Sequence, residues 1–287
     1  MTPSFNIPDN LLTQNFPDLS NIFPLSQGGQ KVVYRATHSH NGAVALKIML
    51  PMSDPERTKR EILAVRQIGS NRIPTIHGNG TIRTAWGDCF WFLEELIEGN
   101  TLRDYVSSSP LSYPELLLLA LQIVETLTNA EQVSIVHRDV KPDNVMRSVD
   151  ANFWLIDFGL ARHLGLDSLT ATAAHFGNVT WGYAPLEQCK NIKQEIDARA
   201  DLFALGVTLY ECATGDNPFR AGARDALEVL NRVENITLPK LNFNEPTGRE
   251  FADFVATLTQ KYRIHRPNTA REAYEWIQEI CSRAGVQ

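Results

Sequence analysis

The chain has 287 residues, 43% hydrophobic and 21% charged, which is the make-up of an ordinary globular protein with room for one large domain or two lobes. Its net charge of −6 argues against nucleic acid as the partner, because a polyanion binder carries a basic surplus.

The N-terminal stretch MTPSFNIPDN has neither the basic start nor the apolar core of a signal peptide. Residues 1–19, with Pro3, Pro8 and Pro17 and little periodicity, read as an extension or a loosely attached arm. The runs KVVYRA and AVALKIML that follow are short and rich in β-branched residues, and Asn41-Gly42 between them signals a hairpin turn. SDPERTKREILAVRQIG is a predicted helix: Ser53 or Asp54 caps it, Pro55 fits its first turn and Gly69 stops it. Strand-like runs return around Gly80 to Arg83 and in CFWFLEEL, and Glu98-Gly99-Asn100 breaks the pattern.

From about residue 100 helical patterns dominate. SYPELLLLALQIVETLTNA is apolar around much of its circumference and so predicts a buried helix; its run from Leu116 to Leu121 is far too short to span a bilayer. ADLFALGVTLYECATG, REFADFVATLTQ and TAREAYEWIQEIC predict three more helices. A strand-rich third with one helix, then a helix-rich remainder, implies an α+β fold of two lobes. The four cysteines, Cys89, Cys189, Cys212 and Cys281, never fall at C-x-x-C spacing, which suits buried or free thiols and a cytoplasmic location.

The chemistry concentrates in IVHRDVKPDNVM, residues 135–146, where His, Arg, Asp, Lys, Asp and Asn crowd one short loop between apolar flanks. A plain solvated turn would be served by Gly and Ser. Thirteen residues after Asn144, the apolar run WLI delivers Asp157 into Phe158-Gly159. Upstream, Lys47 ends the apolar run VAL, and Glu61 shares one helical face with Ala64, Val65 and Ile68. A carboxylate in an apolar stripe needs a cation, and Lys47 is the candidate, with Lys59 and Arg60 as alternatives.

These stretches resemble, in order and spacing, the motifs of the eukaryotic-like (Hanks-type) serine/threonine protein kinase family: the catalytic loop H-R-D-x-K-x-x-N, D-F-G, and the strand lysine with its helix glutamate. The resemblance runs from about residue 20 to 285. It implies a small β-rich N-lobe with one regulatory helix (about 20–96), a hinge (about 95–99) and a larger helical C-lobe (about 100–287), after an N-terminal extension over 1–19. It also implies transfer of the ATP γ-phosphate to Ser or Thr hydroxyls of protein substrates. Asp139 would accept the hydroxyl proton, Lys141 would steady the γ-phosphate, and Asn144 and Asp157 would hold Mg²⁺, which prefers hard oxygen ligands. Lys47, held by Glu61, would meet the α- and β-phosphates.

Aligned on Lys47, SQGGQKVV stands where the family has its glycine-rich loop, with Ser26 at the first glycine, Gly28 at the second, followed by Gly29, and Lys31 at the third. Two of the three loop glycines are thus replaced. Val33 and Ala45 join the expected ATP site, and Glu95 and Ile97 would offer a backbone carbonyl and N–H to adenine. That same alignment puts Glu94 at the gatekeeper position, which is usually apolar or threonine, so that its carboxylate needs a partner or a raised pKa. A register one residue off stays open. Glu187 in YAPLE would pair with Arg266, Asp201 would brace the catalytic loop, and Thr180 would touch Asp139 and Lys141. Arg138 beside the catalytic Asp makes Ser168, Thr170, Thr172 and Thr180 regulatory candidates. Two other readings remain: a pseudokinase serving as a nucleotide-binding interaction module, and a small-molecule phosphotransferase.

Overall fold

The computed structural model describes residues 7–27, 31–49, 65–158 and 179–286. The chain divides into two compact units, one of Met1–Arg60 with Pro74–Ile97, the other of Glu61–Ile73 with Glu98–Gln287.

The first unit is a five-stranded antiparallel sheet in the order β1-β2-β3-β5-β4, formed by β1 (Leu19–Gln27), β2 (Lys31–His38), β3 (Gly42–Met49), β4 (Ile76–Thr84) and β5 (Gly87–Glu95). The Asn41-Gly42 turn falls where expected, with Gly42 at φ 73°, a left-handed angle that favours glycine. Alternation along β2 and β3 sends Val32, Tyr34, Ala36, Val44, Leu46 and Ile48 to one face. Val33, Ala45 and Lys47 go to the other.

The first of these faces is covered by the N-terminal segment. Residues Asp9–Asn15 form α1, and Ile7, Leu12 and Phe16 are buried in one cluster with Val32, Tyr34, Leu46 and Leu93. Phe16 meets Trp91 edge to face at 5.0 Å, an arrangement aromatic quadrupoles favour. The segment therefore is not a loosely attached arm. Its few apolar residues are spaced to meet a sheet face that exists only once β2, β3 and β5 have paired. Strand β1 was also not evident in the sequence: it is an edge strand carrying Pro24, with Phe23 and Leu25 exposed, and so lacks alternation.

In the second unit, a small sheet of β6 (Gly99–Thr101), β7 (Val145–Ser148) and β8 (Phe153–Leu155) accompanies the helices. The predicted helices appear as α3 (Tyr113–Gln132), α5 (Ala198–Thr214), α7 (Gly248–Leu258) and α8 (Ala270–Ala284), joined by the short α2 (Leu102–Val106) and α4 (Leu186–Cys189) and by α6 (Ala226–Asn235). Helix α3 begins in a capping box between Ser112 and Glu115, with Pro114 in its first turn. Helix α5 is buried along nearly its whole length. It approaches the end of α7 so closely that a Cβ on Gly206 would lie 2.8 Å from the Leu258 side chain, and only glycine fits there. The helix expected over residues 55–68 lies outside the described residues up to position 64; Val65 and Ile68 beyond it are buried. All four cysteines are buried and free. Among the described residues no helix is long and apolar enough to cross a membrane.

Truncating a buried side chain of α1 tests whether this cover belongs to the folded core. Leu12→Ala is expected to cost about 2–4 kcal/mol in chemical denaturation, the range for deleting a well-packed leucine. A change within ~0.5 kcal/mol would show the segment to be dispensable.

Candidate active site

The polar loop 135–144 is shaped by a carboxylate from another element. Asp201, in the first turn of α5, is fully buried and accepts the backbone N–H groups of His137 at 2.7 Å and Arg138 at 2.6 Å. Arg138 sits at φ 69°, a left-handed conformation costly for a side-chain-bearing residue. Two charge-assisted bonds at that point hold it there. Burial pushes the Asp201 carboxyl up to about 7, against the pull of the His137 backbone N–H.

His137 is fully buried and bonded through both ring nitrogens. Its Nδ1 accepts from the Asp139 N–H at 3.2 Å, which leaves Nε2 as the donor to the Ile156 carbonyl at 3.0 Å. That arrangement requires the neutral imidazole. The ring also packs edge-on against Phe158 at 4.6 Å, so one side chain ties the loop to the segment bearing Asp157.

Three side-chain donors converge on Asp139. Its Oδ1 accepts from the Thr180 hydroxyl at 2.6 Å; its Oδ2 accepts from Asn144 Nδ2 and from Lys141 Nζ, each at 2.7 Å. Lys141 also donates to Thr180 at 2.7 Å. The expected contact of Thr180 with both residues is thus present. A ring of Asp139, Lys141 and Thr180 results, with Asn144 bracing the carboxylate from the other side. Because its amide nitrogen is turned to Asp139, Asn144 presents Oδ1 as its remaining polar atom. Its backbone carbonyl accepts from Ile156 N–H at 2.9 Å, which brings Asp157, at φ 62°, to the neighbouring strand end.

In the first unit, the register of β2, β3 and β5 sets Val33 against Lys47 and Lys47 against Phe92, and sets Ala45 against Glu94. Lys47 and Glu94 are both buried and form an ion pair. Glu94 shares the Lys47 face, while the half-exposed Glu95 carboxylate accepts from the Thr75 N–H at 3.2 Å. Glu95 ends β5, with Ile97 buried just beyond it. Ser26 pairs with Val33 across β1 and β2, and Lys31 opens β2, half-buried. Gly28, Gly29, Glu61, Ser168, Thr170 and Thr172 lie outside the described residues.

Two more charge clusters support the second unit. Arg266, fully buried, pairs with Glu187 at 2.6 Å as expected, and also donates to the carbonyls of Arg199, Gln260 and Lys261. The other cluster went unseen in the sequence. Arg103 donates to Glu211 and to the Tyr183 hydroxyl at 2.5 Å each, and reaches Asp143 of the polar loop at 3.1 Å. Burial and the Glu211 charge push the Tyr183 phenol up to about 12. The available signal was Glu211 itself, a carboxylate inside the apolar run of α5. Gln188, also overlooked, donates to the Arg138 carbonyl at 2.6 Å.

Comparison with known proteins gives a consistent picture. A family model described as the protein kinase domain matches residues 21–279. The chain is 34% identical over 211 residues to the serine/threonine-protein kinase PknH of Mycobacterium bovis, covering 71% of this chain and 34% of that protein. It is 32% identical over 268 residues to the serine/threonine-protein kinase PknB of Mycobacterium leprae, covering 89% and 42%. A probable serine/threonine-protein kinase of Clostridium perfringens is 27% identical over 263 residues, covering 89% and 37%. The chain thus spans less than half the length of these relatives.

Removing one member of the buried pair leaves a guanidinium uncompensated. Glu187→Ala is expected to cost about 3–5 kcal/mol in denaturant unfolding, well above the loss of an exposed pair. A loss below ~1 kcal/mol would mean that the carbonyls around Arg266 suffice without the carboxylate.

Proposed function

The chain belongs to the protein kinase family, and on that premise we propose that it is an active serine/threonine protein kinase, transferring the γ-phosphate of ATP to Ser or Thr hydroxyls of protein substrates. The observation that supports this most is the Asp139 carboxylate, oriented by Thr180 and Lys141 on one side and by Asn144 on the other.

In this reading Asp139 takes the proton of the attacking hydroxyl. Its oxygens are held by fixed donors, so no rearrangement is needed as the hydroxyl arrives. Lys141 shares its charge between Asp139 and the incoming phosphoryl oxygens, and Thr180 keeps the pair in register. Lys47 grips the phosphates nearer the sugar. Serine and threonine are favoured as acceptors by the Lys141 spacing and by the kinds of kinase the chain resembles.

Mg²⁺ belongs to the same proposal. The Asn144 Oδ1 and the Asp157 carboxylate are hard oxygen donors on adjoining strand ends, a donor set that fits this ion. When bound, Mg²⁺ neutralises phosphate charge; the protein's part is to hold those two oxygens in place. A reducing, cytoplasmic setting fits four buried, free thiols. Phosphorylation at Ser168, Thr170 or Thr172 is part of the reading as a control step, with Arg138 as the counter-charge.

Incubation with γ-labelled ATP, Mg²⁺ and a generic Ser/Thr-bearing protein tests the proposal. Label is expected on phosphoserine or phosphothreonine, and Asp139→Asn is expected to lower the rate by about 10²–10⁴-fold. Nucleotide binding without transfer would identify an interaction module instead. Asp157→Asn is expected to raise the Mg²⁺ concentration needed for half-maximal rate; an unchanged requirement would remove Asp157 from the metal site.

A further inference from the structure

We propose that Glu94 is the positioning residue for Lys47: a carboxylate built into the same sheet, which keeps the lysine charged and aimed at the phosphates. This rests on the kinase reading above and adds to it a residue role that the resemblance does not supply, since the resemblance assigns that task to the helix carboxylate Glu61.

The geometry is set by strand register. Lys47 lies directly across from Phe92, and Glu94 is two residues farther along β5 on the same face. Such diagonal neighbours stand about 7–8 Å apart, with their Cβ atoms somewhat closer, within reach of two long side chains that extend toward each other. Lys47 is only 4% exposed and Glu94 8%, and the ammonium also stands 5.5 Å above the Phe92 ring. A lone ammonium in such surroundings would be driven toward its neutral form, and a lone carboxylate likewise. Pairing with an opposite charge favours the ionised form of each. Only the charged lysine can neutralise phosphate.

The pair does not compete away the lysine's task. An ammonium has three N–H donors, so one carboxylate oxygen and further phosphate oxygens can be held together. Because β3 and β5 are hydrogen-bonded neighbours, the carboxylate's position relative to Lys47 follows from the sheet. A neutral residue at 94 would leave the lysine without this anchor. That accounts for a carboxylate at a buried position whose neighbours on the same face, Ala45 and Phe92, are apolar.

The test is a double-mutant cycle on labelled phosphate transfer, with kcat and KM for ATP measured for the wild type, Glu94→Gln, Glu94→Asp, Lys47→Met and the double variant Glu94→Gln/Lys47→Met. Rates are taken per folded protein, with folding read from thermal melts. Glu94→Gln is expected to lower kcat/KM for ATP at least ~10-fold, with Glu94→Asp in between, because it keeps the charge but draws it back by one methylene. In the Lys47→Met background the same Gln substitution is expected to change the residual rate less than ~2-fold, since its target is gone. A purely structural role would lower the melting temperature and cost the same factor in both backgrounds. That result, a Glu94→Gln enzyme as active as the wild type, or a faster one, would overturn the proposal. A wild type that transfers no phosphate would instead overturn the kinase reading, and this inference with it.

Discussion

The candidate site depends on one buried carboxylate reaching two backbone N–H groups. Asp201 comes from a helix that is buried along most of its length, so its position is fixed by packing. The loop it holds contains a left-handed Arg138, a conformation the chain would leave without that grip. Once Arg138 is fixed, His137 and Asp139 are fixed with it. The histidine then links to Ile156 and Phe158, and the aspartate to Asn144, Lys141 and Thr180. Rigid apolar packing is thereby converted into the orientation of one carboxylate.

Other buried carboxylates among the described residues are held by a cation. Glu187 meets Arg266, Glu211 meets Arg103, and Lys47 meets Glu94. None of these pairs is needed for stability as such, because an apolar pair of similar volume could serve as well or better. A misplaced partner is costly, so each pair disfavours other arrangements of the elements carrying it. Arg103 shows this clearly, since one guanidinium ties α2 to α5, to Tyr183 and to Asp143 of the polar loop.

The polar loop was legible in the sequence because its residues are contiguous and their types are unsuited to a plain turn. The long helices were legible because their apolar periodicity spans many turns. What the sequence hid depends on distant pairing. Ile7, Leu12 and Phe16 look like stray apolar residues among prolines until the sheet face they cover is assembled. Helix α6 went unseen because it is short, with only Val229, Leu230 and Val233 buried among its ten residues. The pairing of Glu94 with Lys47 follows from the register of β3 against β5, and no single strand contains that information.

The packing of α1 has a practical consequence for how this protein is delimited. The family match begins at residue 21, downstream of every apolar side chain that α1 and its flanks contribute to the sheet. An expression boundary drawn at that match would strip the lining from Val32, Tyr34 and Leu46 and present a bare greasy surface to water. Poor solubility of such a shortened product would then report a missing cover, and would say nothing about the chemistry of Asp139.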